Sequence, residues 1–344
     1  GDDAGIDDQW SLLAPALARA DRISGCSTDQ CAALLGELAA VGRLGRYTAG
    51  ERIVHRLAPW FEPLPPAHEG AGSLLRDQLP GGAFLIVQTG GFNTWLDVET
   101  LFAALTKAME SDPRIHFAAS GGAIDGHYTG GFEWFAEQVA ASRHADRFHL
   151  LGWLPLSDVP RLLAEADLAL NIDLPCAEGI LGTRNRLLDW VGAGLPVITT
   201  PGCELALELE DEEIVQVTPH GDPDAAARAI LDAVIRRRTM REAAGRAPAR
   251  LASRRKASRC LRPLLEWAVD PKPASDLQAW RSGEAQPPEL WRLAADVQAA
   301  RAAGERQARR LAWLEDRLAR MEGSRWVRLA LRLRGRHDLP PSPE

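Results

Sequence analysis

The residues able to do chemistry crowd into one stretch. From Asp167 to Thr200 the chain reads strand, loop, helix, strand, and its loop and helix start carry Glu178, Gly182, Thr183, Arg184, Arg186 and Asp189. Leu168 to Ile172 is an apolar run of strand length. Arg184 to Val191 has helical spacing, with Leu187, Leu188 and Val191 on one side. Gly192 and Gly194 stop it, and Leu195 to Thr199 is the next buried strand. A helix that opens after a strand end offers free N–H groups and the positive end of its dipole to an anion. Two guanidiniums at such a start, Arg184 and Arg186, repel each other unless something negative lies beside them, and a phosphate or diphosphate is the natural partner. A second loop follows the apolar strand Ala83 to Gln88. It holds Gly90, Gly91 and Asn93, and glycines there let the backbone approach a phosphate or sugar closely. The third spaced glycine and later acid of a dinucleotide fingerprint are absent, which argues against a hydride-transfer cofactor.

These loops need elements to position them. Trp95 to Met109 reads as a helix, Ile115 to Ala119 as a strand and Phe132 to Ala141 as a helix. Phe148 to Trp153 is a strand, and Ser157 or Asp158 caps a helix ending at Ala166. Ile214 to Val217 is a further strand, before a helix over Ala225 to Ile235. Strands alternating with helices at this spacing predict an α/β fold, a Rossmann-like parallel sheet flanked by helices. His127, alone in a long loop, reads as an ordinary surface residue. Asp222-Pro223-Asp224 could be taken for a metal site, but Asp222 as a helix cap with Pro223 in the first turn is the stronger reading, and no metal is expected.

The run from Glu178-Gly179 through Leu187-Leu188-Asp189-Trp190-Val191-Gly192-Ala193-Gly194-Leu195-Pro196-Val197-Ile198-Thr199-Thr200 resembles the donor-site signature of GT-B glycosyltransferases of the glycosyl transferases group one kind. The resemblance implies a donor domain in which Glu178 faces the sugar and Asp189 bonds the nucleotide ribose. The diphosphate would rest on Arg184, Arg186 and the N–H groups of Gly182 and Thr183, near Gly90, Gly91 and Asn93. Gly152 and Trp153 lie where the family reads the base through backbone groups. Glu178 and Arg184 are the implied catalytic residues. Transfer with retention, no cofactor and no bound metal are likewise implied, basic groups and helix dipoles stabilising the leaving diphosphate. Two departures stand out. The second acid is Asp where the family has Glu, and the loop between the two acids is longer. Relatives also carry basic residues in the first loop, whereas none lies between Gly81 and Thr106, so the charge falls to Arg184 and Arg186.

The remainder of the chain bounds the setting. Hydrophobic residues at 46 % and charged residues at 25 % are ordinary for a globular protein, and a net charge of −7 gives no reason to expect nucleic-acid binding. Five scattered cysteines without a Cys-x-x-Cys pair fit a reducing cytosol. No secretory leader or spanning segment is expected, which suggests a cytoplasmic protein, peripheral on the inner face of the membrane. Residues 1–66 resemble the last strand and helix of a GT-B acceptor domain with its linker. A full domain needs on the order of 150 residues, so the chain reads as a fragment or a member with a reduced first domain. Residues 67–270 form the expected donor domain, its basic run from Arg236 to Arg262 read as a helix crossing back to the first domain. Residues 271–288 are a linker. In 289–337, positions alternately three and four apart from Leu290 to Met321 are mostly apolar, predicting a coiled coil that could join copies of the chain. Ser324 to Arg336 follows as a basic amphipathic helix suited to an anionic membrane surface. Residues 338–344 are expected to be disordered.

Three function classes compete. The first is a glycosyltransferase, or its donor half, moving a sugar from a nucleotide-diphosphate sugar to a cell-surface glycan or lipid-linked acceptor. The second is an inactive GT-B-like scaffold acting through its coiled coil. The third is a sugar-nucleotide epimerase, which the missing first-loop fingerprint disfavours.

Overall fold

The computed structural model describes residues 6–65, 72–124, 126, 128–288, 300 and 303–314. Chain order begins α1 (Ile6–Arg19), β1 (Ile23–Gly25), α2 (Thr28–Ala40), β2 (Val54–Arg56), β3 (Phe84–Thr89), α3 (Val98–Ser111), β4 (Ile115–Ser120), α4 (Gly130–Ala141) and β5 (Phe148–Gly152). It continues α5 (Val159–Glu165), β6 (Leu168–Asn171), α6 (Ala177–Leu181), α7 (Asn185–Gly192), β7 (Val197–Thr199), α8 (Glu204–Asp211), β8 (Gln216–Val217) and α9 (Pro223–Ile235). Last come α10 (Arg237–Ala244), α11 (Ala247–Arg254), α12 (Ala257–Cys260), α13 (Arg262–Val269) and α14 (Ser275–Ser282).

The described chain divides into two compact units, and neither follows the expected boundary at residue 66. One gathers the described parts of 1–20, 37–51 and 274–344; the other holds 21–36 and 52–273. In the first, Arg43 is fully enclosed. Its Nε and Nη2 reach Asp276 at 2.8 and 3.0 Å, and its Nη1 donates to the carbonyls of Leu17 and Ala20. A buried charge persists only when paired and hydrogen-bonded in this way.

The second unit carries the sheet. Six parallel strands run in the order β5-β4-β3-β6-β7-β8. Every residue of β3, β4, β6 and β7 is buried, as expected of a parallel sheet covered by helices on both faces. Phe117, Phe135 and Met109 pack on one face, and Leu85, Leu187, Trp190 and Leu251 on the other. The expected parallel α/β architecture is therefore the observed one. The small β1–β2 sheet, linked through α2, belongs to this unit because its polar groups are tied into it. Ser27 Oγ caps α2 at Gln30 N and donates to the Leu181 carbonyl, Thr28 bonds Glu204 through both N–H and hydroxyl, and Arg56 pairs with Glu208.

Boundaries moved where side chains intervene. α3 starts at Val98 rather than Trp95 because the Asp97 carboxylate accepts the Thr100 N–H. Asp158 sits before α5 without capping it, its carboxylate taken by Arg161. α6 interrupts the expected loop Asp173–Thr183. Asp222 caps α9 at Ala225 N, as read from the sequence. The basic run after Ile235 is spent on internal partners, including Arg237 with Asp167, Arg241 with the Ala166 carbonyl and Arg255 with Glu208. Residues 303–314 are helical and exposed. His127, most of the heptad segment and the basic helix Ser324–Arg336 lie outside the described residues. No described helix is long and apolar enough to cross a membrane.

On neighbouring strands β4 and β5, His116 Nδ1 lies 3.2 Å from His149 Nε2 with the rings stacked. Burial, first, lowers both pKa values, and for His116 the nearby His149 and Arg147 add to it. A base whose folded pKa is depressed stays neutral while the unfolded chain protonates. Stability from this pair is thus complete above the unfolded value near 6.5 and is lost as pH falls through it. Urea unfolding at about pH 7.5 and about pH 5.5 is expected to show a lower midpoint at the acid value. His149→Phe should reduce that difference, and an unchanged difference would refute the assignment.

Candidate functional site

β3 leads on to β4 and β5 on one side of the sheet, while β6, β7 and β8 build the other. The order therefore reverses between β3 and β6, and open α/β sheets bind ligands outside the carboxyl ends of their strands at such a point. Here the loops after β3 and β6 are joined. Leu96 bridges Asp173 antiparallel, Leu174 N–H donates to the Trp95 carbonyl at 2.8 Å, and Asp97 N–H to that of Ile172 at 2.9 Å.

Arg184 stands at the N-cap of α7, but its negative partner is a side chain. Its Nε donates to Asp173 Oδ2 at 2.7 Å, both residues are buried, and its guanidinium lies 4.7 Å from the Trp95 ring centre. Asp173 is held in turn by Thr200 Oγ1, which accepts its N–H, and by His220 Nδ1, 2.7 Å from its carbonyl. Arg184 thus already has an acid beside it, supplied from just beyond the end of β6, and only its Nη2 is left for a further partner. The Gly182 N–H, expected to face a diphosphate, instead donates to the Glu178 carbonyl and closes α6. A Cβ at Gly182 would lie 2.6 Å from that same carbonyl oxygen.

Arg186 behaves differently. It reaches across to the glycine loop, where its Nη2 donates to the Gly91 carbonyl at 3.1 Å and lies 3.3 Å from where a Gly90 Cβ would be. Among the described residues no carboxylate pairs with it. Burial lowers its pKa to about 10, Asp173 opposing and Arg184 adding to the shift. Four enclosed polar atoms without partners fall in this one segment: Asp173 Oδ1, Thr183 Oγ1, Arg184 Nη2 and Arg186 Nη1. Enclosed polar groups are rarely left unpaired, so such a cluster calls for a ligand or water. The first N–H groups of α7 also lack intrahelical partners, and no side chain caps them.

Asp189, one turn further on, is half-buried, and burial raises its carboxyl pKa. Its neighbour Trp190 is fully buried and donates from Nε1 to Thr89 Oγ1 at 2.9 Å, fixing α7 to the end of β3. The ends of β4 and β5 complete the wall. Gly121 N–H donates to the Gly152 carbonyl, and a Cβ on Gly121 would meet the Gly90 carbonyl oxygen at 2.3 Å. Trp153 is 59 % exposed, with its indole N–H fixed to the Ala123 carbonyl. Asn93 lies beside Gly91. Glu178 is exposed on α6, and among the described residues no side-chain hydrogen bond ties it to the other site residues. The structure thus brings Gly90, Gly91, Asn93 and Arg186 together, with Asp189 below them. Among the described residues no three His, Cys, Asp or Glu side chains converge as a metal site.

Residues 83–235 match the family described as glycosyl transferases group 1. No curated protein matches the chain by sequence. Among solved structures, Anabaena HepE in complex with UDP and glucose is 18 % identical, with a TM-score of 0.60 over 75 % of this chain and 66 % of its own. Sucrose-phosphate synthase from Thermosynechococcus elongatus is 17 % identical, with a TM-score of 0.58 over 78 % of this chain and 63 % of its own. TarM of S. aureus is 11 % identical, with a TM-score of 0.54 over 77 % and 47 %. The chain therefore spans less than two thirds of each neighbour, and at these identities the likeness is one of fold: a GT-B glycosyltransferase fold.

Within the glycosyl transferases group 1 segment, sequence reasoning missed Asp173, Trp95 and the Thr89–Trp190 lock. Asp173 could have been found, since it directly follows an apolar strand in the position where such sheets place functional groups. Trp95 and Trp190 carry no comparable signal, because their partners are distant in sequence. Arg184→Met is expected to cost about 3–5 kcal/mol in urea unfolding, the penalty for stranding a buried charge, with part recovered when Asp173→Asn is added. A loss near zero would show that the pair does not organise the loops.

Proposed function

We propose that this chain is the donor-binding part of a glycosyltransferase that takes its sugar from a nucleoside-diphosphate sugar. The observation that carries the reading is half-buried Arg186, packed against Gly90 and Gly91 at the switch point with its enclosed Nη1 unpartnered among the described residues. A diphosphate in that crevice would meet Arg186 and the α7 N-terminus, groups that gain most when charge develops on the leaving group. Asp189 would accept from the ribose hydroxyls, Glu178 would face the sugar from α6, and Gly152 and Trp153 would border the base. Arg184 acts in this reading by holding Asp173 and the α6 loop. Transfer with retention and without a bound metal follows from the family likeness, as does an acceptor on a cell-surface glycan or lipid carrier. The UDP bound by HepE makes UDP the first nucleotide to try.

Calorimetric titration with UDP, GDP, ADP and dTDP tests the site. One ribonucleoside diphosphate is expected to bind, and Arg186→Ala should weaken it by about 1.5–3 kcal/mol, the range for a charge-assisted hydrogen bond. A mutant that binds as tightly as the parent would overturn the diphosphate assignment. Failure of all four nucleotides would favour a scaffold without donor binding.

The ribose contact has its own test. The preferred nucleotide should bind more tightly than its 2′-deoxy analogue by about 1 kcal/mol, the worth of one hydrogen bond, and Asp189→Ala should abolish that preference. An equal preference in parent and variant removes Asp189 from the ribose.

A further inference from the structure

The opposite edge of the sheet holds a second concavity that the proposed reaction does not use. It measures about 580 Å³ and lies at the starts of β7 and β8, beneath α10 and α11. Ligand sites commonly have about 300–1,000 Å³, apolar walls and a few polar groups. Pro196, Val197, Val215, Met240, Ala244 and Ala247 give part of its lining an apolar character. The rim is cationic: Arg236, Arg246 and Arg250 stand around it, and Glu213 is the one acid among the lining residues.

The three rim arginines are not equivalent. Arg236 shares its charge with Asp232 at 3.0 Å. Arg250 donates to a backbone carbonyl, that of Glu212, at 2.6 Å. Among the described residues no carboxylate is recorded against Arg246, which is itself the N-cap of α11. No side chain caps that helix, and Ala247, its first residue, lines the cavity. Ile235, the residue before Arg236, is 83 % exposed, so apolar surface continues beyond the rim.

We propose that this cavity binds an amphiphilic anion, a molecule with one phosphate or carboxylate end and an apolar body. Inorganic phosphate alone would leave the apolar lining wet. A neutral apolar molecule would bury that lining but strip water from guanidiniums it cannot pair. Only a ligand with both parts satisfies the two walls together. The site lies at the strand starts, whereas the donor crevice lies at the strand ends, so the proposal stands independently of the nucleotide reading.

The test uses the full chain and decyl phosphate below its micelle-forming concentration, titrated by calorimetry, with inorganic phosphate and decanol as half-ligands. Saturable 1:1 binding of decyl phosphate is expected, with each half-ligand weaker by about tenfold or more. Arg246→Ala should weaken decyl phosphate by about tenfold, and Ala243→Trp, which puts an indole into the cavity from an exposed helix position, should do the same. Circular dichroism of both variants confirms that they fold. Flotation with phosphatidylglycerol vesicles, lost in the same two variants, would name a membrane lipid as the source of the anion. Binding of decyl phosphate without flotation would name a free amphiphile. No saturable binding, equal binding of decanol, or unchanged affinity in two folded variants would overturn the proposal.

Discussion

The buried pair of Asp173 and Arg184 is the constraint on which the rest of the site depends. Burying both charges is costly unless each is fully engaged, and the chain engages them from several elements at once. Asp173 is fixed by Thr200 after β7 and His220 after β8, and Arg184 is sandwiched against Trp95 after β3. Four loops that leave the sheet after β3, β6, β7 and β8 therefore share one polar knot. Removing either charge would leave the other stranded, so the knot sets the position of α7, and with it the positions of Arg186 and Asp189.

Two arginines two residues apart have opposite fates for a geometric reason. Arg184, at the N-cap, turns under the α6 loop to the acid at the end of β6. Arg186, inside the first turn, projects to the glycine loop of β3, where it meets the Gly91 carbonyl. Carbonyls satisfy N–H groups but do not neutralise a charge. Burial, with Arg184 adding to it, lowers the Arg186 pKa against the pull of Asp173, and an anionic ligand would relieve the same deficit. A site that is to bind a diphosphate needs such an unbalanced cation, whereas a purely structural cation would acquire an acid as Arg184 has done.

The sheet was legible in the sequence because parallel strands buried on both faces leave near-continuous apolar runs, and β3, β4 and β6 each begin within one residue of expectation or on it. The glycine loop was legible because its backbone geometry admits few other residues. The partner of Arg184 was not, because local charge reasoning sees two cations and cannot see an acid that only folding brings close. The same limit hid the β1–β2 segment's attachment to the main unit, which rests on Thr28, Arg56 and Ser27 meeting residues far along the chain. What pattern reasoning recovers is periodicity. What it loses is pairing across the topology.

The site is unevenly rigid. Trp190 is bonded to Thr89, Gly121 to Gly152 and Asp173 to Thr200 and Arg184, so the wall of the crevice around α7 and the strand ends is preformed. The α6 loop is different: Leu174 and Ile180 are exposed, and Gly179 is the one buried residue of its short helix. Arg184 holds one end, and the Ser27 hydroxyl holds the Leu181 carbonyl near it. A segment with so little burial between two fixed ends opens at low free-energy cost. Glu178 sits on that segment, so the group proposed to face the sugar is the one whose position can still adjust. The proposed donor site would thus place the common diphosphate at the rigid half and the variable sugar at the adaptable one.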